Sequence, residues 1–244
     1  MTLVGFDTSM PVTSACVVPQ RGDPVCTPAP SRDRLLRAPD HSAELLPVLA
    51  ELLARAGTDW DDVRAIAVGV GPGTFTGLRI GVATARGLAQ GLGVPLHPVS
   101  SLAALAAGLA GGAPPGRPLL PLIDARRGQV FASLHRAGER LEREWGPLAL
   151  GREELLERVS LLPTAPLAAG DWALESRKYL ETAGVEVPAS DSGLHAVSAL
   201  QICRLGEAVE PVAPEQVNPV YVRVPDAEIT RSARVEDPGG EVHT

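Results

Sequence analysis

The residues best placed to do chemistry lie in "VGVGPGTFTGLRIGVATARGLAQ", Val68 to Gln90, where glycines and threonines sit between an apolar run and a helical pattern. Such a strand-to-helix turn can hold a phosphate on the free N–H groups of the helix start. A P-loop needs a Gly-Lys-Ser/Thr triplet ending the turn. Here Thr76 follows Gly71 by five residues, Leu78 follows Gly73 by five, and the segment has no lysine. A dinucleotide fingerprint needs a third glycine, but Gly71-Pro72-Gly73 runs on into Thr74-Phe75-Thr76. Both phosphate motifs fail on spacing, and weak anion binding at the helix start is all that stays open.

Two carboxylates, Asp7 and Asp124, each end an apolar run, "LVGFD" and "LPLID". Each reads more simply as a turn former, its side chain bonding backbone N–H groups just ahead. The five histidines, His41, His97, His135, His195 and His243, are scattered, and no G-x-S-x-G elbow or Cys-x-x-Cys pair occurs. Isolated histidines read as capped or surface residues. Cys16 and Cys26 can face one another across a hairpin, but with the third cysteine, Cys203, the odd count reads as buried, reduced thiols.

Elements must position these residues. Three short strands are expected at Leu3–Phe6, in "TSACVVP" and in "DPVCTPAP". A helix is expected over 40–57, with Leu45, Leu46, Leu49, Leu52 and Leu53 at helical spacing and Gly57 as its stop. Pro47 is tolerable there only near the first turn. "VRAIAVGV" reads as a strand covered on both faces, followed by the turn, a helix to about Leu92, the strand "VPLHPV", and an Ala/Leu helix capped by Ser100 or Ser101. On the helix after the turn, Gly77, Gly81, Ala85 and Ala89 form one small-residue ridge. Glycine inside a helix costs about 1 kcal/mol against alanine, so another backbone must come close, either the chain's own sheet or a partner. Arg79 and Arg86 lie on a second face and, with Leu78 and Val82, are the candidates for meeting a partner.

The Gly/Pro-rich run at 110–118 marks a boundary. A second apolar strand ending in Asp124 and a second hairpin, "QVFASLHR", follow it, so the halves open alike and are consistent with a duplication. We expect an N-terminal half over 1–112, a C-terminal half over 113–224, and a flexible polar tail over 225–244. A net charge of −7 and only 3% aromatic residues argue against a module that grips RNA by itself. No signal-peptide pattern or membrane-length apolar run is seen, so a cytoplasmic chain is expected.

"GPGTFTGLRIGVATARGLA" resembles the signature of the bacterial TsaB family, the dimerisation subunit of the tRNA threonylcarbamoyladenosine machinery. "FDTS", "HSAELLPVLAELL", "VPLHPVSSLAALA", "DARRGQVFAS" and "NPVYVR" follow in family order. The resemblance implies an α/β fold of two related halves, the actin-like and sugar-kinase-like ATPase (ASKHA) architecture. It implies a non-catalytic scaffold that binds the catalytic TsaD subunit, which threonylcarbamoylates adenosine 37 of ANN-decoding tRNAs. TsaE, an ATPase, joins them, and tRNA is met only indirectly.

By the same resemblance, ATP and metal belong to the partner subunits, with no cofactor on this chain. The catalytic relative grips its metal with a His-His-x-x-x-His helix, and aligning Pro98-Val99 with that element puts Ser100, Ser101 and Leu105 there. Gly170 alone stands where a nucleotide glycine loop would fall, so Asp7, Asp124 and Gly170 read as degenerate nucleotide-site positions. The implied partner face, used for self-pairing and for TsaD, comprises Leu45, Leu46, Leu49, Leu53, Thr76, Leu78, Arg79, Val82 and Arg86. Gly71, Pro72, Gly73, Thr74, Phe75 and Gly77 form the signature loop. The competing reading is an ATP-dependent transferase or kinase of the same fold, acting in its own inter-domain cleft.

Overall fold

Alternation along the first strand decides what it separates. In β1 (Thr2–Asp7), Leu3 points into one buried cluster and Val4 and Phe6 into another, as a two-residue side-chain period requires. The computed structural model describes residues 1–37 and 40–223; the expected tail at 225–244 lies outside them. β2 (Ser14–Val18) and β3 (Val25–Cys26) meander antiparallel from β1, while β4 (Val63–Gly71) and β5 (Leu96–Ser100) join it in parallel. The sheet order is β3-β2-β1-β4-β5.

A short helix α1 (Arg32–Leu35) precedes α2 (His41–Arg55), and α3 (Phe75–Leu92) follows β4. α2 and α3 cover one face of the sheet with Leu45, Leu49, Leu52, Leu53, Val82, Ala85 and Ala89. Pro47 sits in the seventh position of α2, not near its first turn. The helix continues because the ring is exposed, and the carbonyl it leaves unbonded, that of Ala43, belongs to an exposed residue. α2 ends at Gly57 (φ 64°) and α3 at Gly93 (φ 67°), both left-handed stops.

α4 (Ser101–Ala110), capped by Ser100 Oγ accepting from Ala103 N, is apolar on nearly every side. Such a helix must be buried all round, and α4 lies between the two sheets, against β4 and β5 on one side and β6 on the other. The second sheet has the order β8-β7-β6-β9: β6 (Pro118–Arg126), β7 (Gln129–Arg136), β8 (Glu142–Gly151) and β9 (Leu167–Ala169). α5 (Arg152–Ser160), α6 (Asp171–Glu175) and α7 (Arg177–Thr182) contribute Leu155, Val159, Trp172, Ala173 and Leu180 to the cluster on its far face.

In each sheet the Asp-ended strand carries an antiparallel hairpin on one side and a parallel strand on the other. The chain then returns. α8 (Ala199–Glu207), expected with the second half, packs on β1, β2, β4 and β5 of the first sheet. Gly5 is required under it, because a Cβ there would meet Cys203 Sγ at 2.4 Å.

One expectation is corrected in β2 and β3. Cys16 and Cys26 are paired residues of neighbouring strands, and their sulfurs are bonded in a disulfide rather than left as thiols. Cys203 is the free thiol among the described residues, its pKa pushed up to about 12 by burial.

Candidate functional site

β1 delivers Asp7 to the mouth between the sheets, fully enclosed. Its Oδ1 accepts from Ser9 N (2.8 Å) and Ser9 Oγ (2.6 Å), and its Oδ2 accepts from Ser101 Oγ (2.6 Å). Ser101 Oγ in turn accepts from Gly71 N (3.2 Å). Gly69 makes room, since a Cβ there would fall 1.8 Å from Asp7 Oδ2. Burial raises the Asp7 pKa, and the serine hydrogen bonds oppose that rise. Ser101, aligned with a metal ligand of the catalytic relative, is thus committed to Asp7 and the Gly71 turn.

The corresponding carboxylate on β6 is more open. Asp124 Oδ1 accepts from Arg126 N (2.8 Å) and Oδ2 pairs with Arg126 Nη1 (3.0 Å). Asp7 and Asp124 therefore both bond the backbone two residues ahead, the turn-forming role expected of them. Asp124 N donates to Asp171 Oδ1 (3.0 Å), which also accepts from Trp172 N. Burial first, and then the Asp124 charge, raise the Asp171 pKa to about 7. Asp171 escaped the sequence reading. Its only signal was an Asp directly after Gly170, and pairing it with Asp124 required the β6–β9 register. Gly170 (φ 130°) is demanded by close packing, because a Cβ would lie 1.7 Å from Leu122 O. Asp124, Arg126, Asp171 and Glu175, with Pro11, Leu35, Leu36 and Arg37, line a cavity of about 210 Å³, below the roughly 300–1,000 Å³ usual for small-molecule sites.

The four described histidines stand apart. His41 Nδ1 meets Thr13 Oγ1 (2.8 Å), His97 Nδ1 meets Val209 O (2.9 Å), His135 Nε2 meets Ser133 Oγ (2.9 Å), and His195 Nε2 meets Pro188 O and Ala189 O. Burial lowers the pKa of His41 and His195, and that of His135 to about 4. Among the described residues no three His, Cys, Asp or Glu side chains gather as a metal set; His243 lies outside them.

The signature loop packs inward. Thr74 N donates to Ser9 O (2.8 Å), and Thr8 Oγ1 donates to Gly77 O (2.8 Å). A Cβ at Gly73 would meet Ser9 O at 2.5 Å, one at Gly77 would meet Thr8 O at 2.0 Å, and one at Gly81 would meet Thr8 Oγ1 at 2.3 Å. The Gly77–Gly81–Ala85–Ala89 ridge thus seats α3 on its own chain. Thr8 was the unseen partner of that ridge.

The expected partner face is corrected accordingly. Leu45, Leu49, Leu53, Leu78 and Val82 are all buried in the chain's own core, because an apolar helical stripe turns toward the sheet that can cover it. Leu46 (49% exposed), Thr76 and Arg79 remain outside and Arg86 is half-buried. Beside them the exposed stripes are small: Ala43, Ala50 and Ala54 on α2, and Ala83 and Gly87 on α3.

Comparison with known proteins adds three relatives and one family model. A model described as TsaD, tRNA N6-adenosine threonylcarbamoyltransferase, matches residues 36–213. The tRNA threonylcarbamoyladenosine biosynthesis protein TsaB of Escherichia coli is 32% identical over 195 residues, covering 75% of this chain and 81% of that one. Its namesake in Haemophilus influenzae is 34% identical over 161 residues, covering 65% of this chain and 64% of that one. The solved YeaZ of Pseudomonas aeruginosa superposes with a TM-score of 0.71 at 28% identity, covering 90% of this chain and 99% of that one.

Proposed function

The chain belongs to the TsaB family of tRNA threonylcarbamoyladenosine biosynthesis proteins, and on that premise we propose that it is the non-catalytic scaffold subunit of the machinery. Its fold is the actin-like α/β architecture, with the Asp-ended strand central in both sheets. In this reading it binds the catalytic TsaD subunit and supports threonylcarbamoylation of adenosine 37 in ANN-decoding tRNAs, with TsaE as the third member.

One observation carries the non-catalytic part. The Asp7 carboxylate, which an active relative would turn toward metal and phosphate, is enclosed and satisfied by three donors from Ser9 and Ser101. A carboxylate so engaged must break those bonds before it can hold anything else. The small cavity at Asp124 and Asp171 points the same way, since Asp124 is already engaged by Arg126 and Asp171 by two backbone N–H groups.

The partner face we assign is the exposed side of α2 and α3. The two helices touch one another and present Leu46, Ala50, Ala83 and Gly87 with Thr76 and Arg79 at the edge. Small residues there allow a second pair of helices to come close. The same face serves self-pairing when the catalytic partner is absent. No helix of the described residues is long and apolar enough to cross a membrane.

Co-purification with a TsaD-type subunit, then reconstitution of tRNA modification with and without this chain, tests the reading. Modification is expected to depend on this chain. Calorimetry with Mg-ATP on the chain alone should give no turnover; micromolar binding with turnover would move the chemistry into this chain's own cleft.

A further inference from the structure

The last described residues form a strap. Val217 is buried in the core of the first sheet. Val220 N then donates to Val70 O (2.7 Å), and the bare Cα of Gly71 accommodates the Val220 carbonyl, which a Cβ would meet at 3.0 Å. Three residues later the Arg223 guanidinium donates to Ala125 O (3.3 Å) and Gln129 Oε1 (3.2 Å) on the β6–β7 hairpin. The strap thus links the end of β4 to the second sheet.

Its middle meets the start of α3. The Tyr221 and Phe75 rings stand 5.2 Å apart between centroids, and the Arg79 guanidinium lies 4.4 Å from the Phe75 centroid. Phe75 (40%), Val220 (44%) and Tyr221 (41%) are all well exposed. Of the chain's eight aromatic side chains three are exposed, and two of those three are gathered here. Clustered exposed apolar groups mark interaction sites, and aromatic residues with arginine form the energetic centres of protein interfaces.

We propose that Phe75, Arg79, Val220 and Tyr221 are a docking hot spot for a heterologous protein partner. It carries the α2–α3 face onto the C-terminal strap, and it rests on the reading of that face as partner-binding. The occupant is a protein surface with an apolar centre flanked by carboxylates. α3 carries Arg79 and Arg86 and no acidic residue in a chain whose net charge is −7, so its local charge opposes the bulk. A second copy would bring its own cationic α3 to this end of the face, so self-pairing rests on the small-residue stripes of α2 and α3 and not on this cluster.

The test is calorimetric affinity of full-length variants for purified TsaD-type transferase. Tyr221→Ala and Phe75→Ala should weaken binding at least tenfold, with melting temperatures near wild type because both rings are exposed. Tyr221→Phe, which keeps the ring, should stay within twofold. Ala83→Arg, in the helical stripe, should also weaken binding. If Ala83→Arg weakens binding and Tyr221→Ala does not, the strap proposal is overturned and the helical face stands. If neither matters, both fall. A Tyr221→Ala effect confined to self-association in sedimentation, or to tRNA binding by anisotropy, overturns the proposal in favour of those occupants.

Discussion

The turn from β4 into α3 and the turn from β9 into α6 occupy equivalent places in the two sheets, each beside the Asp-ended strand. Both begin with a glycine at positive φ, Gly71 (109°) and Gly170 (130°). Beyond that they diverge. The first continues into an 18-residue helix whose glycine ridge rides on Thr8 and Ser9, and it encloses Asp7. The second continues into a 5-residue helix and leaves Asp124 beside an open cavity, joined to it by Asp171. Equivalent corners lead into a long helix packed on its own chain in one half and into a short helix at the polar edge of a small cavity in the other. The same glycine geometry therefore says nothing about phosphate until the surroundings are known.

The sharpest way to break this comparison is to add one methyl to each corner. Gly77→Ala drives a Cβ against Thr8 O, and Gly170→Ala drives one against Leu122 O at positive φ. Each should cost about 3 kcal/mol or more, which for a chain of this size is roughly 6–12 °C in Tm. Scanning calorimetry checks this; an unchanged Tm in either variant would mean that corner is not packed as described.

A pH-dependent effect separates the two carboxylate settings. Unfolded Asp171 ionises near pH 4, but in the folded chain it does so at about 7. Between those values the unfolded state holds fewer protons, so stability falls as pH rises from about 4 to about 7. Asp171→Asn keeps an acceptor for the Asp124 and Trp172 N–H groups and removes the proton, so this part of the fall should flatten. Urea titrations across that range read the slope directly; an unaltered slope contradicts the assignment.

The smallest effect should have the opposite sign. A Cβ at Gly87 meets nothing within 4 Å, so Gly87→Ala should gain about 0.5–1 kcal/mol by helix propensity. The same methyl stands on the proposed partner face and should weaken association. A rise in Tm with unchanged partner affinity would remove Gly87 from that face.

Much of this was legible in the chain. The left-handed stop at Gly57, the end of α3 at Leu92 and a serine cap on α4, expected at Ser100 or Ser101 and found at Ser100, follow from local rules. The direction of the apolar stripes was misjudged: Leu45, Leu49 and Leu53 repeat too regularly to be anything but core, and the outer face is marked by Leu46 and by alanines that carry little signal. Register lies beyond local patterns. It brings Asp124 to Asp171, and the return of α8 to the first sheet rests on packing from far along the chain; the facing of Cys16 and Cys26 was legible, but not the bond between them. β8 was hidden because Gly146 and Pro147 interrupt it.

The central claim is that this chain works through its α2–α3 face and not through its cleft. Reconstituted tRNA threonylcarbamoylation with Asp124→Asn, Asp171→Asn and Ala83→Arg forms tests it in one assay. The account predicts rates within twofold of wild type for the two cleft variants, and loss of modification, with loss of assembly, for Ala83→Arg. Cleft variants that assemble normally yet lose modification would contradict it.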